Sequence, residues 1–213
     1  MKFNSIHVSI LLATLLFCRS VAFTQAAEYF GGDQRTGVDI MWFKFLKDSK
    51  ETKTSILFFS RNRASVDYRN SPTTFGSTNA VSYNFKSGLG IVGVASFLNN
   101  GFTPKLGIQL FKQKNDFMFF GWLVADLKNH GNMDLFGMFR YQPKLSNNFK
   151  LFTQLELYPV YNPSEEYWSL TQRLRLGIKY DKFTFGLMAD FNQQGVSHFS
   201  TTENIGGFLR HEF

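Results

Sequence analysis

Apolar and polar side chains alternate along most of this chain with a period of two residues. In the segment Ser169–Tyr180, for example, Leu174 and Leu176 share one side, whereas Arg173 and Arg175 share the other. Successive side chains of a β-strand point to opposite faces, so this is the period of a strand with one apolar and one polar face. The alternation therefore predicts an all-β fold.

Short clusters of turn-forming residues, such as Asn99-Asn100-Gly101 and Ser146-Asn147-Asn148, divide this pattern into segments of about ten residues. No segment after the first 27 residues has the period of an amphipathic helix. The segments between the turns are predicted to be strands near Gly37–Lys47, Lys53–Arg63, Ala80–Phe85, Leu89–Leu98, Phe102–Lys112, Phe117–Leu127, Met133–Tyr141, Phe149–Tyr158, Tyr167–Tyr180, Phe183–Asn192 and Glu203–Phe213.

The first residues have the pattern of an export signal. Lys2 supplies a positive charge, and the apolar run Val8–Cys18 is shorter than the roughly 20 residues that a membrane-spanning helix needs. Small residues follow this run. We predict cleavage after Ala26 or Ala27, with Ala22 as the alternative.

The chain ends on Phe213, in another alternating segment. An export signal followed by alternating strands, the last of which ends on an aromatic residue, resembles the small outer-membrane β-barrels of Gram-negative bacteria. The resemblance implies a signal peptide over residues 1–27 and a closed antiparallel transmembrane β-barrel over residues 28–213, in the bacterial outer membrane. Such barrels have even strand numbers, so Glu28–Gln34 is predicted to be a twelfth strand. Ten strands are the alternative, if two short strands merge.

Barrels of this kind hold both chain termini on the periplasmic side. Counting back from Phe213, the connections Gln193–Thr202 and Asn62–Asn79 then lie outside, and the turn Asp181-Lys182 lies inside. Because outer-membrane barrels have long outer loops and short inner turns, we expect Asn62–Asn79 to be the longest loop.

In a membrane barrel the apolar face of each strand contacts lipid and the polar face lines the lumen. A charge in a narrow lumen is costly unless it is paired, so we expect Glu156 to pair with Arg173 or Arg175, and Asp190 to pair with Arg210. The lattice would form either an ion-paired plug or a narrow hydrated path. The predicted lumen charge lattice comprises Arg61, Arg63, Lys105, Asp126, Arg140, Glu156, Arg173, Arg175, Asp190, Arg210 and Glu212.

Composition narrows the remaining possibilities. The net charge of +7 comes from scattered basic residues without the runs or stripes of a nucleic-acid-binding protein, so no nucleic-acid partner is expected. The single cysteine, Cys18, would leave with the signal peptide, and no two histidines have metal-ligand spacing. We therefore predict no metal site and no cofactor. The 26 phenylalanines are expected to face lipid or to form interfacial girdles.

One short segment has the residue types of a hydrolase. His198 and Ser200 are two residues apart, so on a strand they would share a face, where a histidine nitrogen could activate the serine hydroxyl. The spacing resembles the His-x-Ser element of two outer-membrane lipid hydrolases, the lipid A 3-O-deacylases and the outer-membrane phospholipase A. The resemblance implies that Glu203 would complete the triad, although Thr201 stands where those enzymes usually carry asparagine.

The favoured interpretation is a small outer-membrane barrel with a structural, binding or accessory role, whose lumen is filled by paired charges. A lipid hydrolase that uses His198, Ser200 and Glu203 is the alternative, and a narrow anion-preferring pore is the second alternative. The resemblance to outer-membrane barrels also implies contact with outer-membrane lipid and lipopolysaccharide, and insertion by the barrel-assembly machinery through Phe213. The oligomeric state stays open.

Overall fold

The structure is a computed structural model that describes residues 26–69, 73–99, 101–128 and 131–213. Nearly all of the predicted signal peptide lies outside these residues. In the described part of the chain, no helix is long and apolar enough to cross a membrane.

The described residues form one antiparallel sheet that closes into a barrel. Its strands are β1 (Ala26–Gly32), β2 (Arg35–Lys47), β3 (Lys53–Asp67), β4 (Thr73–Asn84), β5 (Leu89–Leu98), β6 (Gly101–Lys114), β7 (Phe117–Asp126), β8 (Met133–Tyr141), β9 (Phe149–Asn162), β10 (Tyr167–Tyr180), β11 (Phe183–Gly195) and β12 (Phe199–Glu212). Each strand pairs with its neighbours along the chain, and β1 closes the sheet by pairing with both β2 and β12. The predicted closed barrel of twelve strands is confirmed, and β1 is the additional strand that was predicted near Glu28–Gln34.

Two tight turns show how the sequence fixes the hairpins at one end. Asn115-Asp116 joins β6 to β7, and Asp181-Lys182 joins β10 to β11. Asn115 and Asp181 have positive φ angles of 52° and 49°. Asparagine and aspartate tolerate this left-handed conformation, which two-residue hairpin turns require. We call the end with these turns, where β1 begins and β12 ends, the terminal end, and the opposite end the far end.

The outer surface of the barrel carries a continuous apolar belt. Its side chains come from the apolar positions of the alternating pattern, and an apolar surface of this extent indicates contact with lipid or another apolar partner. The belt includes Val38, Ile40, Val81, Ile91, Leu106, Ile108, Leu123, Leu135, Leu155, Leu174, Leu176, Phe185, Leu187, Ile205 and Leu209.

Exposed aromatic side chains border the belt at both ends. Aromatic girdles of this kind occur where a membrane barrel meets the two lipid–water interfaces. The girdle at the terminal end contains Tyr83, Phe85, Phe117, Tyr141, Phe149, Tyr180, Phe183 and Phe213, and the girdle at the far end contains Phe75, Phe97, Phe102, Trp168 and Phe199.

The far end differs from the predicted long loops. Most of Asn62–Asn79 is a paired hairpin of β3 and β4, and most of Gln193–Thr202 is a paired hairpin of β11 and β12. These segments are rich in threonine, serine and asparagine. Beyond the belt the outward side of a strand need not be apolar, and threonine favours extended backbone. The strands therefore continue past the apolar pattern from which their ends were predicted.

The barrel interior corrects a second expectation, because many aromatic side chains point inward. Phe59 and Phe120 are at most 2% exposed, and their ring centroids lie 5.4 Å apart. This packing fills the side of the lumen formed by β2 to β8, where paired charges were expected. We call it the aromatic half; it comprises Phe43, Phe45, Phe59, Phe111, Phe120, Trp122 and Phe136.

Candidate binding site in the lumen

The other side of the lumen is lined by charged side chains, which we call the ionic half. They occupy inward-facing positions of the strands on either side of the closure between β1 and β12. The ionic half comprises Glu28, Asp39, Arg61, Arg63, Glu156, Arg173, Arg175, Asp190 and Arg210.

Glu156 on β9 lies at the centre of the ionic half. Its Oε2 atom accepts a hydrogen bond from Nη1 of Arg61 at 2.7 Å and a longer one from Nη1 of Arg173 at 3.4 Å. Its Oε1 atom accepts a hydrogen bond from Nε2 of Gln154 at 2.7 Å. This carboxylate therefore links β3 to β10 across the lumen, far beyond the reach of sheet pairing.

Asp39 and Asp190 connect further strands. Arg63 contacts Asp39 at 3.2 Å and Asp190 at 2.6 Å. Arg175 contacts Asp190 at 2.6 Å and Glu28 at 2.8 Å. Asp190 thus bridges two guanidinium groups, and Arg63 and Arg175 each bridge two carboxylates, so the charges form a network and not separate pairs. Such networks are stabilised beyond isolated ion pairs.

Aromatic rings also support the guanidinium groups of this half. The Arg63 guanidinium lies 4.1 Å from the centroid of the Phe30 ring, and the Arg210 guanidinium lies 5.3 Å from that of Phe152. Both rings are fully buried. Cation–π contacts of this kind are favourable, and more so when they are shielded from water.

Most residues of the predicted charge lattice lie in or beside the ionic half, but some partners differ from those expected. Glu156 contacts Arg173 as predicted, whereas Asp190 contacts Arg63 and Arg175 and not Arg210. Arg210 lies 3.6 Å from Glu28.

The other four predicted lattice residues lie at the edge of this network or outside it. Arg140 and Glu212 adjoin it, because Arg210 donates to the same Gln154 oxygen as Arg140 and lies 3.8 Å from Glu212. Arg140 donates to the Oε1 atom of Gln154 at 2.8 Å, and Glu212 pairs with Lys179 near the terminal end. Lys105 is paired with Asp134. The Asp126 carboxylate accepts the backbone N–H of Lys128 at 2.7 Å at the end of β7, so it caps a turn at the rim.

Sequence reasoning missed three lumen carboxylates, Glu28, Asp39 and Asp134. A signal for Asp39 was present, since it stands directly opposite Arg63 in the hairpin of β2 and β3. The register shifts between Phe45 and Lys47, so pairing residues back from the predicted turn places Asp39 opposite Arg61, which also marks it as a lumen carboxylate. Asp134 accepts hydrogen bonds from both Lys105 and Tyr158, and neither contact follows from the pairing of adjacent residues.

The two halves together fill the middle of the lumen. A cavity of about 10 Å³ lies among Glu28, Arg61, Glu156, Arg173 and Arg210, which is room for about one water molecule. Larger cavities open at the two ends: a far vestibule of about 270 Å³ and a terminal vestibule of about 330 Å³. The barrel is thus narrowed at its middle and open at both mouths.

The three predicted catalytic residues do not meet. His198 lies in the turn between β11 and β12, Ser200 lies on β12, and both are exposed. Glu203 is three positions after Ser200 on the same strand, so their side chains point to opposite faces of the wall. Within the described ranges, no hydrogen bond joins the side chains of His198, Ser200 and Glu203. No triad geometry is present.

A polar contact at the rim fixes the turn between β1 and β2. The backbone N–H of Ile205 donates to the Asp33 carboxylate at 2.8 Å, and the side-chain amide of Gln34 donates to it at 3.0 Å. These hydrogen bonds lower the pKa of Asp33. The side-chain oxygen of Asn204 accepts the backbone N–H groups of Gln34 and Arg35, both at 3.0 Å.

Known proteins resemble this chain only distantly, and in structure rather than in sequence. No protein-family model matches the sequence, and no curated protein matches it. Two solved structures are similar in fold. One comes from a study of the in-meso crystallisation of membrane proteins, with 13% identity and a TM-score of 0.47 over 88% of this chain and 83% of the other. The other is the β domain of the Bordetella autotransporter BrkA, with 10% identity and a TM-score of 0.38 over 88% of this chain and 96% of the other.

The fold thus defines the class of this protein as a closed, twelve-stranded antiparallel β-barrel. Within that class it is a barrel with an apolar outer belt, a lumen filled half by aromatic and half by ionic side chains, and a vestibule at each mouth.

Proposed function

We propose that this protein is an integral outer-membrane β-barrel of a Gram-negative envelope, with a filled lumen and a binding or structural role. The observation that carries the proposal is the apolar belt around a closed barrel, bordered by aromatic girdles. Along β10, the interval from Trp168 to Tyr180 corresponds to roughly 30 Å along the barrel axis, at about 3.3 Å per residue and a strand tilt of about 40°. This is close to the thickness of a bilayer core.

The position of Phe213 supports assembly by the route expected of outer-membrane barrels. The residue follows β12 at the terminal end and is 61% exposed, so its side chain is available to the barrel-assembly machinery. The terminal end would then face the periplasm and the far end the outside.

Membrane insertion is tested by placing a charge in the belt. Leu174 points outward near the middle of the interval on β10, and Leu174→Arg should destabilise the barrel folded in vesicles, lowering its free energy of unfolding by about 2 to 4 kcal/mol. The matched control is Thr201→Arg, which places the same charge on an exposed position of β12 above the belt. Folding is measured by the mobility of unheated protein in detergent gels. Equal effects of the two variants would show that the belt does not face lipid.

The filled lumen supports a binding or structural role over conduction, because an aqueous channel needs a wide barrel of about 16 strands or more. Purified protein in planar bilayers should give no stepwise current at moderate voltage. Regular current steps would replace the proposed role with that of the narrow anion-preferring pore.

A further inference from the structure

The far vestibule has two chemically different walls. It is lined on one side by arginines of the ionic half and on the other by rings of the aromatic half, with small polar side chains of β3 and β4 at its rim. Its volume of about 270 Å³ is near the lower end of the range for small-molecule sites. The residues that carry the inference are Arg35, Arg173, Phe59, Trp122 and Phe136.

The guanidinium group of Arg173 lines this vestibule, and its positive charge is only partly neutralised by a neighbouring carboxylate. Within 4 Å its acidic contact among the described residues is Oε2 of Glu156, at 3.4 Å, and Arg61 contacts the same oxygen at 2.7 Å. The Arg173 side chain is 23% exposed, compared with 13% for Arg61. A guanidinium group has five N–H donors, so most donors of Arg173 remain available to an anion.

Arg35 adds a second cation at the rim. Its Nε atom is buried and has no hydrogen-bond partner among the described residues. The Arg35 guanidinium also lines the vestibule and has five N–H donors, so it adds positive charge and hydrogen-bonding capacity there.

The opposite wall is apolar and firmly packed. The Trp122 ring lies 5.2 Å from that of Phe59 and 4.8 Å from that of Phe136, measured between centroids. Contacts at this spacing hold the rings in fixed orientations. The edges of these rings form the apolar side of the vestibule, against which an apolar group of a ligand can pack.

A low point in the barrel wall lies next to Arg35. β1 ends at Gly32, which pairs with Gly206 of β12. β12 begins at Phe199, so it extends further toward the far end than β1 does. The apolar belt on β12 ends at about the same height, near Ile205. A ligand could therefore reach the vestibule from outside or from the lipid interface.

We propose that the far vestibule binds a small organic anion, whose carboxylate or phosphate group contacts Arg173 and Arg35 and whose apolar group packs on Phe59, Trp122 and Phe136. This inference rests on the proposed function, since the vestibule exists only in the folded barrel. The anion is either a free solute or the headgroup region of an anionic lipid.

The test uses the full protein folded in phosphatidylcholine vesicles, with phenyl phosphate as the probe. Trp42→Phe and Trp168→Phe leave Trp122 as the fluorescent reporter. Phenyl phosphate should change this fluorescence saturably, and inorganic phosphate and phenol should each bind at least about tenfold more weakly, because each lacks one half of the interaction.

Substitutions locate the site. Arg173→Gln should weaken phenyl phosphate binding by about tenfold or more, and Arg173→Lys should weaken it less. Lys150→Gln, in the terminal vestibule, is the matched control and should leave binding unchanged. A lack of saturable binding, or equal affinity of Arg173→Gln and the control, would overturn the inference.

Two further measurements complete the test. Mobility of unheated protein in detergent gels is recorded for every variant, so that a folded barrel that does not bind refutes the inference while leaving the proposed function intact. Vesicles that contain phosphatidylglycerol distinguish the two sources: competition with phenyl phosphate supports a lipid headgroup as the ligand, and an unchanged affinity supports a free solute.

Discussion

The aromatic half and the ionic half occupy the same cylinder, and they fill it by different means. In the aromatic half, Phe43, Phe59 and Phe120 contact one another edge-on or tilted, so dense apolar packing fills the space. In the ionic half, Glu156 and Asp190 hold guanidinium groups at distances that leave little freedom. The aromatic half is stabilised by the removal of apolar surface from water. The ionic half is stabilised by directional contacts, which are favourable only when every buried charge is paired.

This difference shows how a barrel of twelve strands avoids an empty interior. Bulky aromatic rings fill one side of the lumen. On the other side, long arginine side chains extend across the lumen and contact distant strands. Each half has a characteristic response to mutation, which the following experiments separate.

The largest effect is expected from the aromatic half. Phe120→Ala removes a fully buried ring that lies 4.8 Å from the Phe43 ring and 5.4 Å from the Trp122 ring, so the free energy of unfolding should fall by about 3 to 5 kcal/mol. Urea-induced unfolding in vesicles, followed by tryptophan fluorescence, measures this change. Phe97→Ala, in the girdle at the far end, is the control; removing this half-exposed ring leaves no cavity in the lumen, so it should cost less than Phe120→Ala. Similar losses in both variants would mean that the aromatic half is not a core.

A somewhat smaller loss is expected from the ionic half. Glu156→Gln leaves Arg61 and Arg173 without their shared carboxylate and should cost about 3 kcal/mol. The same unfolding assay applies, repeated at about 1 M salt, where a buried network should keep most of its effect. The exposed Glu203→Gln should change stability by less than about 0.5 kcal/mol. A loss for Glu156→Gln that disappears in salt would indicate a solvated network.

An intermediate substitution tests the boundary between the halves. The Tyr158 hydroxyl donates to Asp134 at 2.6 Å while its ring packs on Phe136 at 6.3 Å. Tyr158→Phe keeps the ring and removes a hydrogen bond to a charged group, so we expect a loss of about 1.5 to 2 kcal/mol in the same assay. Tyr180→Phe, in the girdle at the terminal end, should show little change. No loss for Tyr158→Phe would mean that Lys105 alone satisfies Asp134.

The smallest effect is expected outside the lumen. Ser200 is exposed at the far end, so Ser200→Ala should alter the free energy of unfolding by less than about 0.5 kcal/mol. Because Ser200 and Glu203 point to opposite faces, lipid mass spectrometry of outer membranes should also be identical for the wild type and Ser200→Ala. A lipid difference between them would restore the hydrolase interpretation.

The strands and their outward apolar face were predictable because a period of two is visible wherever one face is apolar and the other polar. The aromatic half was missed, because the alternation is lost where both faces are apolar. The segment Phe117–Val124 is apolar almost throughout, and so is Ile56–Phe59. Continuous apolar runs indicate strands that are covered on both sides, and this signal would have placed Phe59 and Phe120 inside.

The far-end hairpins and the partners in the ionic half were harder to predict for separate reasons. Polar alternation gives no indication of where a strand stops, so β3 and β4 extended beyond their predicted ends. The partner of Asp190 depends on how far an arginine side chain reaches across the lumen. Neither Arg63 nor Arg175 is identified by the sequence as its partner, because both are chemically equivalent to Arg210.

The short strand β1 has a consequence for how the molecule reaches its final state. Its Glu28 meets Arg175, which is 147 residues away along the chain, and the contacts of Arg63 with Asp190 and of Arg61 with Glu156 span 127 and 95 residues. The contacts of the aromatic half span less of the chain: those of Phe43 with Phe120 and of Phe59 with Phe136 each span 77 residues. Contacts between distant parts of a chain form late, because the intervening loop must first be ordered. The arginines should therefore stay solvated during insertion and lose their water in a single step when the first strand meets the last, so that their dehydration marks the completion of assembly.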